Sequence, residues 1–386
     1  FCSALILNIA YSVFYSIYIS LHEYYTYILA VFVLLIIFNE KRLKYKKKVF
    51  LGIVMFILLC AMTIRVNHSG MGVLLQIIWP LSLIYMFNNC YFSKNYIDRI
   101  TFLMGIGWIL SMMGSLNYTK TYFTNFNNGI IEEGINPNTI AIIIVTTCIF
   151  FCIYIDSKRK SKLLKIVVYA ISLIGLYRTR SRTSLVAFLS ILLLEYVLMK
   201  KVKESRKLAI AITIFVIVVA IIFPFIYVGL FTSGTVDYST LFFGKRVFTG
   251  RQYIWLNLWN YLQNNHDAFL WGVGFNTELY SGGSFNLHNA FLMIFAQYGI
   301  LVFVVYIAFL IRSISKMYGA DGKISDIQFK CYQILIYALI VGFGETVFSY
   351  LPNLIFIATA IGISNRERMR IRQNDTESNT LLLVWQ

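Results

Sequence analysis

The sequence has little charge for its length. Only 13% of its 386 residues are charged, whereas 59% are hydrophobic, and the mean hydropathy is +0.70. A soluble domain carries about 25% charged residues and has no repeated apolar runs of about twenty residues. The composition therefore excludes a soluble protein. Because the apolar runs are continuous rather than alternating, it also excludes a transmembrane β-barrel and predicts an all-α polytopic membrane protein.

The long polar segment 232–289 lacks cysteine. The six cysteines all fall in or beside apolar runs, and they are Cys2, Cys60, Cys90, Cys148, Cys152 and Cys331. This distribution argues against a disulfide framework and against a thiolate metal site. The histidines also show no spacing typical of metal ligands, and they are His22, His68, His266 and His288. The sequence therefore predicts neither a metal nor a cofactor.

Positive charge is abundant, with a net charge of +17, but it lies in short clusters between the apolar runs. Such clusters orient a membrane protein and contact anionic lipid, so they are poor evidence for nucleic-acid binding. The positive-inside rule places them all in the cytoplasm. The clusters are 41–48, 158–165, 200–207, 312–330 and 366–372.

The apolar runs predict about twelve transmembrane helices. They lie near 1–20, 23–39, 49–66, 70–88, 99–117, 137–155, 164–180, 183–199, 208–231, 290–311, 331–349 and 352–364. An even number of runs separates successive basic clusters, which predicts that both termini are cytoplasmic.

One integral membrane domain is expected to cover residues 1–386. It would comprise nine helices in 1–231, an external catalytic loop at 232–289, three helices in 290–364 and a cytoplasmic tail at 365–386. The polar end of that tail, after Arg372, is expected to be disordered. The sequence shows no internal repeat and none of the Gly- or Pro-broken helix pairs typical of transporters.

Arg178, Arg180 and Arg182 lie at a predicted outer turn, against the positive-inside rule. One interpretation is that these side chains extend to lipid phosphates at the membrane surface. The other is an anion site, because guanidinium groups bind phosphate oxygens in pairs and keep their charge. A helical turn would place Arg178 and Arg182 on one face.

The external loop contains two further patterns. The segment 251–264 begins with Arg251, has asparagines on one helical stripe and aromatic residues such as Trp255 elsewhere, which predicts an interfacial helix. Its periodicity favours a structural lid, although aromatic residues beside an arginine also suit a sugar-phosphate ligand. Trp271-Gly-Val-Gly274 lies outside any βαβ unit and predicts a backbone turn rather than a dinucleotide site.

Two ionisable residues near the predicted outer membrane edge are candidates for function. His288 is either an ordinary polar residue or a general base for a hydroxyl. Glu345 lies within the eleventh predicted helix, where an ionisable residue usually has a partner, and an arginine is expected, either for function or for a structural ion pair. Glu195, near Lys200 and Lys201, is interpreted as ordinary.

The segment Asn136-Pro137-Asn138 predicts a helix start, with a capping asparagine and a proline in the first turn. Glu132 and Glu133, just before it, are the paired carboxylates of the predicted outer face and are alternative base candidates.

Taken in order, these motifs resemble the O-antigen polymerase and O-antigen ligase superfamily of membrane glycosyltransferases. The matching pieces are Asn136-Pro-Asn-Thr-Ile-Ala141, Ser181-Arg182, Gly250-Arg251 with Trp255, Gly272-Val-Gly274 followed by His288-Asn289, and Phe343-Gly-Glu345. The resemblance covers roughly the second two-thirds of the chain.

The resemblance implies an enzyme of the bacterial cytoplasmic membrane that acts outside on glycans linked to undecaprenyl pyrophosphate, by a metal-independent inverting reaction. Arg182 and Arg251 would hold the pyrophosphate, and His288 would activate or orient the acceptor hydroxyl. Arg178 is a further pyrophosphate candidate, since this chain has two additional arginines in the turn. The supporting residues would be Glu345, Asn289, Asn138 and Trp255.

Three functions follow in order of preference. The first is a polymerase that joins lipid-linked repeat units into a capsular or O-antigen-like polysaccharide, with a chain-length regulator as a possible partner. The second is a ligase that transfers a finished glycan to another acceptor. The third is a flippase or transporter, which the outer position of the candidate residues disfavours.

Overall fold

A computed structural model describes residues 2–14, 94–116, 136–158, 162–237, 241–242, 245–274, 287–319, 321–345, 347 and 351–384. The predicted spans at 23–39, 49–66 and 70–88 lie outside these residues. The residues His22, Cys60, His68, Cys90, Glu132 and Glu133, named above, also lie outside them.

The described residues are almost entirely helical, as the sequence predicts. The helices are α1 (Cys2–Val13), α2 (Lys94–Leu116), α3 (Pro137–Ser157), α4 (Lys162–Thr179), α5 (Arg182–Leu193), α6 (Met199–Glu204), α7 (Arg206–Thr232), α8 (Arg251–Asn264), α9 (His266–Trp271), α10 (Ala290–Ser315), α11 (Asp326–Val341) and α12 (Leu351–Val384). A π-helical turn, Leu194–Leu198, joins α5 to α6. Two short antiparallel strands, β1 (Leu241–Phe242) and β2 (Lys245–Arg246), pair Leu241 with Arg246.

Among the described residues, four helices are long and apolar enough to cross a membrane, namely α2, α3, α7 and α10. The total of about twelve spans stays a prediction. The predicted helix start at Asn136 is confirmed, because its side chain accepts a hydrogen bond from the Asn138 amide and Pro137 is the first helical residue.

The main hydrophobic core surrounds α3, which is apolar on every face and packs against α2, α4 and α11. A helix of this kind needs apolar surroundings on all sides. Helices α2 and α7 instead leave large apolar side chains exposed, among them Phe102, Ile109 and Phe215. Such exposed faces suit contact with lipid, since a soluble protein rarely exposes apolar patches of this extent.

A second hydrophobic cluster is built by the segment between α7 and α10. It contains Trp255, Leu258 and Leu262 from α8, together with Val273 and Leu292, and the end of α7 packs against it. The predicted interfacial helix therefore buries one face against the bundle, while Trp259 and Tyr253 stay exposed on the other. Aromatic side chains in this position are typical of the membrane–water interface.

Two of the long apolar helices are irregular. Helix α10 is interrupted at Gly299, which has φ 75° and ψ 178°, and α7 contains Pro224. At the Gly299 break, the amides of Val273 and Gly274 donate to the carbonyls of Ala296 and Gln297 at 2.7 and 3.0 Å. The Trp-Gly-Val-Gly motif is thus the predicted turn, and it satisfies carbonyl groups at the break.

The C-terminal ends of α11 and α12 differ from the prediction. Helix α11 ends at Val341, so Glu345 lies in the turn that follows rather than inside a span. Helix α12 continues to Val384, past the predicted end near 364, so the tail after Arg372 is helical instead of disordered.

The interpretation of Glu195 as an ordinary residue is also wrong. Its carboxylate is buried on the π-helical turn, where Oε1 lies 2.7 Å from Lys330 Nζ and Oε2 accepts from Gln333 at 3.0 Å. Lys330, which the sequence assigns to a basic cluster, is buried within α11 and donates to the Tyr169 hydroxyl at 2.8 Å. The apolar surroundings require this pairing, because an isolated buried charge is costly.

Candidate active site

The arginine turn is not a continuous helix. Arg180 has a left-handed backbone, φ 51°, which ends α4 at Thr179 and lets α5 begin at Arg182. The Arg182 Nη1 donates to the Arg246 carbonyl at 3.2 Å, whereas the Arg178 Nη2 donates to the Leu116 carbonyl at 3.2 Å. The two guanidinium groups therefore have different neighbours and do not share a helix face.

Arg251 meets Glu345 at a junction between distant parts of the chain. Gly250, with φ 90°, turns the backbone so that Arg251 becomes the first residue of α8. The Arg251 Nη2 lies 3.2 Å from Glu345 Oε1, which also accepts from Asn138 Nδ2 at 2.6 Å. One carboxylate thus fixes the start of α3 and the start of α8.

Gly344 has no side chain and so leaves space for the side chains of Arg251 and Thr183 at this junction. A Cβ atom at this position would lie 2.9 Å from Arg251 Nη1 and 2.8 Å from Thr183 Oγ1. The turn after α11 therefore brings the beginnings of α5 and α8 side by side. Arg182 and Arg251 are close enough for their charges to repel each other. The cluster holds two guanidinium charges against the one carboxylate of Glu345, so it suits an anionic ligand.

His288 lies beside this cluster, half-buried, with a left-handed backbone at φ 49°. Burial, and then the nearby Arg251 charge, lower the pKa of His288 to about 4. The imidazole is therefore neutral near pH 7 and can accept a proton. The Trp255 Nε1 donates to the Leu287 carbonyl at 2.7 Å, which anchors the residue just before His288.

Asn289 anchors the residue just after His288. It is fully buried, and its Oδ1 accepts from the amides of Phe291 and Leu292 at 3.0 and 2.9 Å, capping α10. Its Nδ2 donates to the carbonyls of Ala220 and Phe343 at 3.1 and 3.2 Å. All four hydrogen-bonding positions of the amide are used.

Pro224 explains why Ala220 can accept the bond from Asn289. Proline has no amide hydrogen, so the carbonyl four residues before it, that of Ala220, has no partner within α7. The buried carbonyl must be satisfied in another way. Asn289 does so and thereby joins α7, α10 and the turn that carries Glu345.

The candidates from the sequence thus mostly lie together. Glu345, Asn138 and Arg251 are in contact, Arg182 is their neighbour, and Trp255 and Asn289 hold the backbone on either side of His288. Arg178 instead contacts Leu116. Sequence reasoning missed Thr183 and Pro224, and it assigned no role to Gly344 of the Phe343-Gly-Glu345 motif. A proline inside a strongly apolar helix was the one available signal.

A comparison with protein families matches residues 167–307 to the family model described as O-antigen ligase. The matched range begins in α4 and ends within α10, so it contains Arg182, Arg251 and His288 but neither Asn138 nor Glu345. Searches of curated proteins and of solved structures found no match. The resemblance to the O-antigen polymerase and ligase superfamily is confirmed.

Proposed function

We propose that the chain is a membrane glycosyltransferase that joins lipid-linked repeat units. The match of residues 167–307 to the family model described as O-antigen ligase supports this proposal. The donor would be an oligosaccharide on undecaprenyl pyrophosphate, and the reaction would take place on the outer face of the cytoplasmic membrane. The product would be a capsular or O-antigen-like polysaccharide.

The observation that carries this proposal is the junction of Arg251 and Glu345 next to a neutral His288. Two arginines suit a diphosphate, since guanidinium groups bind phosphate oxygens in pairs. A neutral imidazole suits proton transfer from a hydroxyl. Both functions are needed for transfer from a sugar pyrophosphate to a sugar hydroxyl.

In the proposed reaction, Arg251 and Arg182 bind the pyrophosphate of the donor. The bond between the anomeric carbon and the phosphate oxygen breaks, and negative charge grows on the leaving pyrophosphate. Arginines already fixed by Glu345, Arg246 and Gly344 can stabilise this charge without rearranging. Arg178, held at Leu116, would add a weaker long-range attraction.

His288 would accept the proton of the acceptor hydroxyl as its oxygen bonds to the anomeric carbon. The pKa of about 4 partly reflects the charge of Arg251. A bound pyrophosphate would offset that charge and so raise the pKa of His288. The imidazole would therefore become a stronger base once the donor is in place.

The remaining site residues would position these groups. Glu345 and Asn138 hold Arg251, while Trp255 and Asn289 hold the backbone around His288. Correct placement of reacting groups contributes a large part of catalysis, because misplacement by about 1 Å can cost about a hundredfold in rate.

A ligase is the second candidate. The family whose model matches residues 167–307 is described as O-antigen ligase. The same arginines and histidine would then transfer a finished glycan from its lipid pyrophosphate to a different acceptor.

The test is a gel profile of surface and lipid-linked glycan from cells that lack the protein, with cells carrying the restored gene as control. A polymerase predicts single repeat units on the lipid carrier and loss of the ladder. Full-length chains left on the carrier would instead support the ligase. Repeat units confined to the cytoplasmic side would support a flippase and overturn the proposed site.

A further inference from the structure

A second candidate binding site lies at the opposite end of the helix that begins with Arg182. Helix α5, the π-helical turn and α6 run continuously from 182 to 204, which is roughly 35 Å at 1.5 Å per residue. The hydrocarbon core of a bilayer is about 30 Å thick. If the arginine turn is at the outer face, the far end of this helix lies at the cytoplasmic face.

At that far end is a groove of about 500 Å³. The loop between α10 and α11 forms one wall, and backbone hydrogen bonds fix it to α6 and α7. The Ile324 amide donates to the Lys203 carbonyl at 3.0 Å, and the Arg206 amide donates to the Gly322 carbonyl at 3.2 Å. The groove is lined by Glu195, Tyr196, Val197, Met199, Lys200, Lys203, Glu204, Lys323 and Ile324.

The groove is basic. Lys200 and Lys323 form no ion pair with any residue that the structure describes, and Lys203 contacts Asp326 at 2.5 Å. Of the two carboxylates in the lining, Glu195 is already neutralised by Lys330 at 2.7 Å. Lys203 is likewise neutralised by Asp326, so the lining leaves Lys200 and Lys323 against the one carboxylate of Glu204, and the groove favours an anion.

An apolar stripe leads from the groove toward the middle of the membrane. The side chains of Val186, Leu189, Leu193 and Val197 are each at least half exposed. Their spacing of three and four residues places them on one face of the helix. Tyr196, at the edge of the groove, is also exposed. A soluble anion would need no such stripe, whereas acyl chains would pack along it.

We propose that this groove binds the phosphate head group of an anionic phospholipid from the cytoplasmic leaflet, with its acyl chains along the Val186 to Val197 stripe. Basic pockets on the cytoplasmic side of membrane proteins bind such head groups, and each lysine near the surface contributes to the attraction. Lys200 and Lys323 bind the phosphate, and Tyr196 lies at the level of the glycerol backbone. This site is independent of the proposed glycosyl transfer.

The test titrates the purified protein in a neutral detergent with short-chain phosphatidylglycerol and counts bound lipid by native mass spectrometry. The variant K200Q/K323Q removes two charges from the groove. The control K201Q/K207Q removes two charges from exposed lysines of the same segment that do not line it. Both variants must elute and melt as the wild-type protein does, which the exposure of all four side chains favours.

We expect K200Q/K323Q to bind phosphatidylglycerol roughly 25-fold more weakly, at about fivefold per lysine. The control variant should change the affinity for this lipid by less than about twofold. Equal weakening in the two variants would mean general attraction to a basic surface. Equal binding of phosphatidylcholine, or displacement of the lipid by inorganic phosphate, would mean that no anionic lipid site exists. Each of these results would overturn the proposal.

Discussion

At the scale of single residues, one carboxylate oxygen of Glu345 connects Asn138 and Arg251 in the candidate site. Its Oε1 accepts from Asn138 at 2.6 Å and from Arg251 at 3.2 Å. A hydrogen bond to a charged group contributes about 1.5–3 kcal/mol, more than a neutral one. The position of Arg251 therefore depends on the charge of the carboxylate as well as on its shape.

Replacing Glu345 with glutamine should lower the rate of repeat-unit joining about 10- to 100-fold, because the charged partner of Arg251 is lost. The rate is measured on membranes that contain equal amounts of protein. Glu204→Gln, which removes a carboxylate from the far end of the α5–α6 helix, serves as the control and should keep the wild-type rate. A normal rate in Glu345→Gln would show that Glu345 does not position Arg251.

The pH dependence should report the lowered pKa of His288. The folded pKa of about 4 lies below the usual value of about 6.5, so the imidazole stays neutral as the pH falls through 6 and 5. We expect kcat/KM, corrected for ionisation of the donor, to stay level from pH 8 to about pH 5 and to fall near pH 4. A fall centred near pH 6.5 would contradict the described environment of His288.

Residue types and their order in the chain were enough to select His288, Arg251 and Glu345 as candidates. The roles of Gly344 and Pro224 could not be predicted in this way. Gly344 matters because Arg251 and Thr183 lie against it, and Pro224 matters because Asn289 binds the carbonyl that it leaves open. Both effects depend on residues far away in the sequence.

Among the elements, the turn after α11 is the point where the site is assembled. Phe343 accepts from Asn289, Gly344 admits the Arg251 side chain, and Glu345 binds it. Three consecutive residues thus contact the beginnings of α10, α5 and α8. A conservative substitution in this turn should therefore lower activity more than it lowers the stability of the fold.

Gly344→Ala should lower the rate of joining at least about tenfold, because the new methyl group would displace Arg251 or Thr183. Gly229→Ala is the matched control, since a Cβ there would have nothing within 4 Å. The control should keep full activity and become slightly more stable, as alanine favours helices over glycine. Similar loss in both variants would contradict the assignment of Gly344 as a spacer.

The buried pair of Glu195 and Lys330 gives a prediction about stability. Glu195→Gln leaves Lys330 as an uncompensated buried charge and should destabilise the protein by about 3–5 kcal/mol. The double variant E195Q/K330M should recover most of that loss. Thermal unfolding in detergent measures the stability of both variants.

The exposed pair of Asp98 and Lys158 is the control for this pair, and Asp98→Asn should destabilise the protein far less, because exposed ion pairs contribute little to stability. A double variant no more stable than Glu195→Gln alone would show that the buried pair does not act as a unit.

The helices themselves were largely predictable, since continuous apolar runs and the cap at Asn136 require little tertiary information. The irregular points were not. Glycine is required at the Gly299 break because a Cβ there would lie 2.1 Å from the Leu270 carbonyl oxygen, and the π-helical turn coincides with the Glu195 pair. Hydrophobic periodicity carries no signal for either contact.

In the whole molecule, the proposed anion site and the basic groove lie at opposite ends of one helix. Arg182 begins that helix, and Lys200 and Lys203 lie near its end. This arrangement agrees with the predicted orientation, in which the arginine turn is outside and the basic clusters are in the cytoplasm.

The orientation predicts where single cysteines would react in intact cells. Asn260→Cys, on the external helix α8, should be labelled by a maleimide that cannot cross the membrane, whereas Lys207→Cys should be labelled only after the cells are opened. Lys207 is the control for membrane integrity. The reverse pattern would place the arginine turn in the cytoplasm and contradict the proposed reaction.

The most direct measurement is repeat-unit joining by the purified protein in liposomes that contain the lipid-linked donor. We expect polymer or ligated product from the wild-type protein and from the variant Lys162→Ala, which changes an exposed lysine far from the site. We expect no product from Arg182→Ala, Arg251→Ala or His288→Ala at equal protein level. Normal product from all three variants would contradict the proposed site.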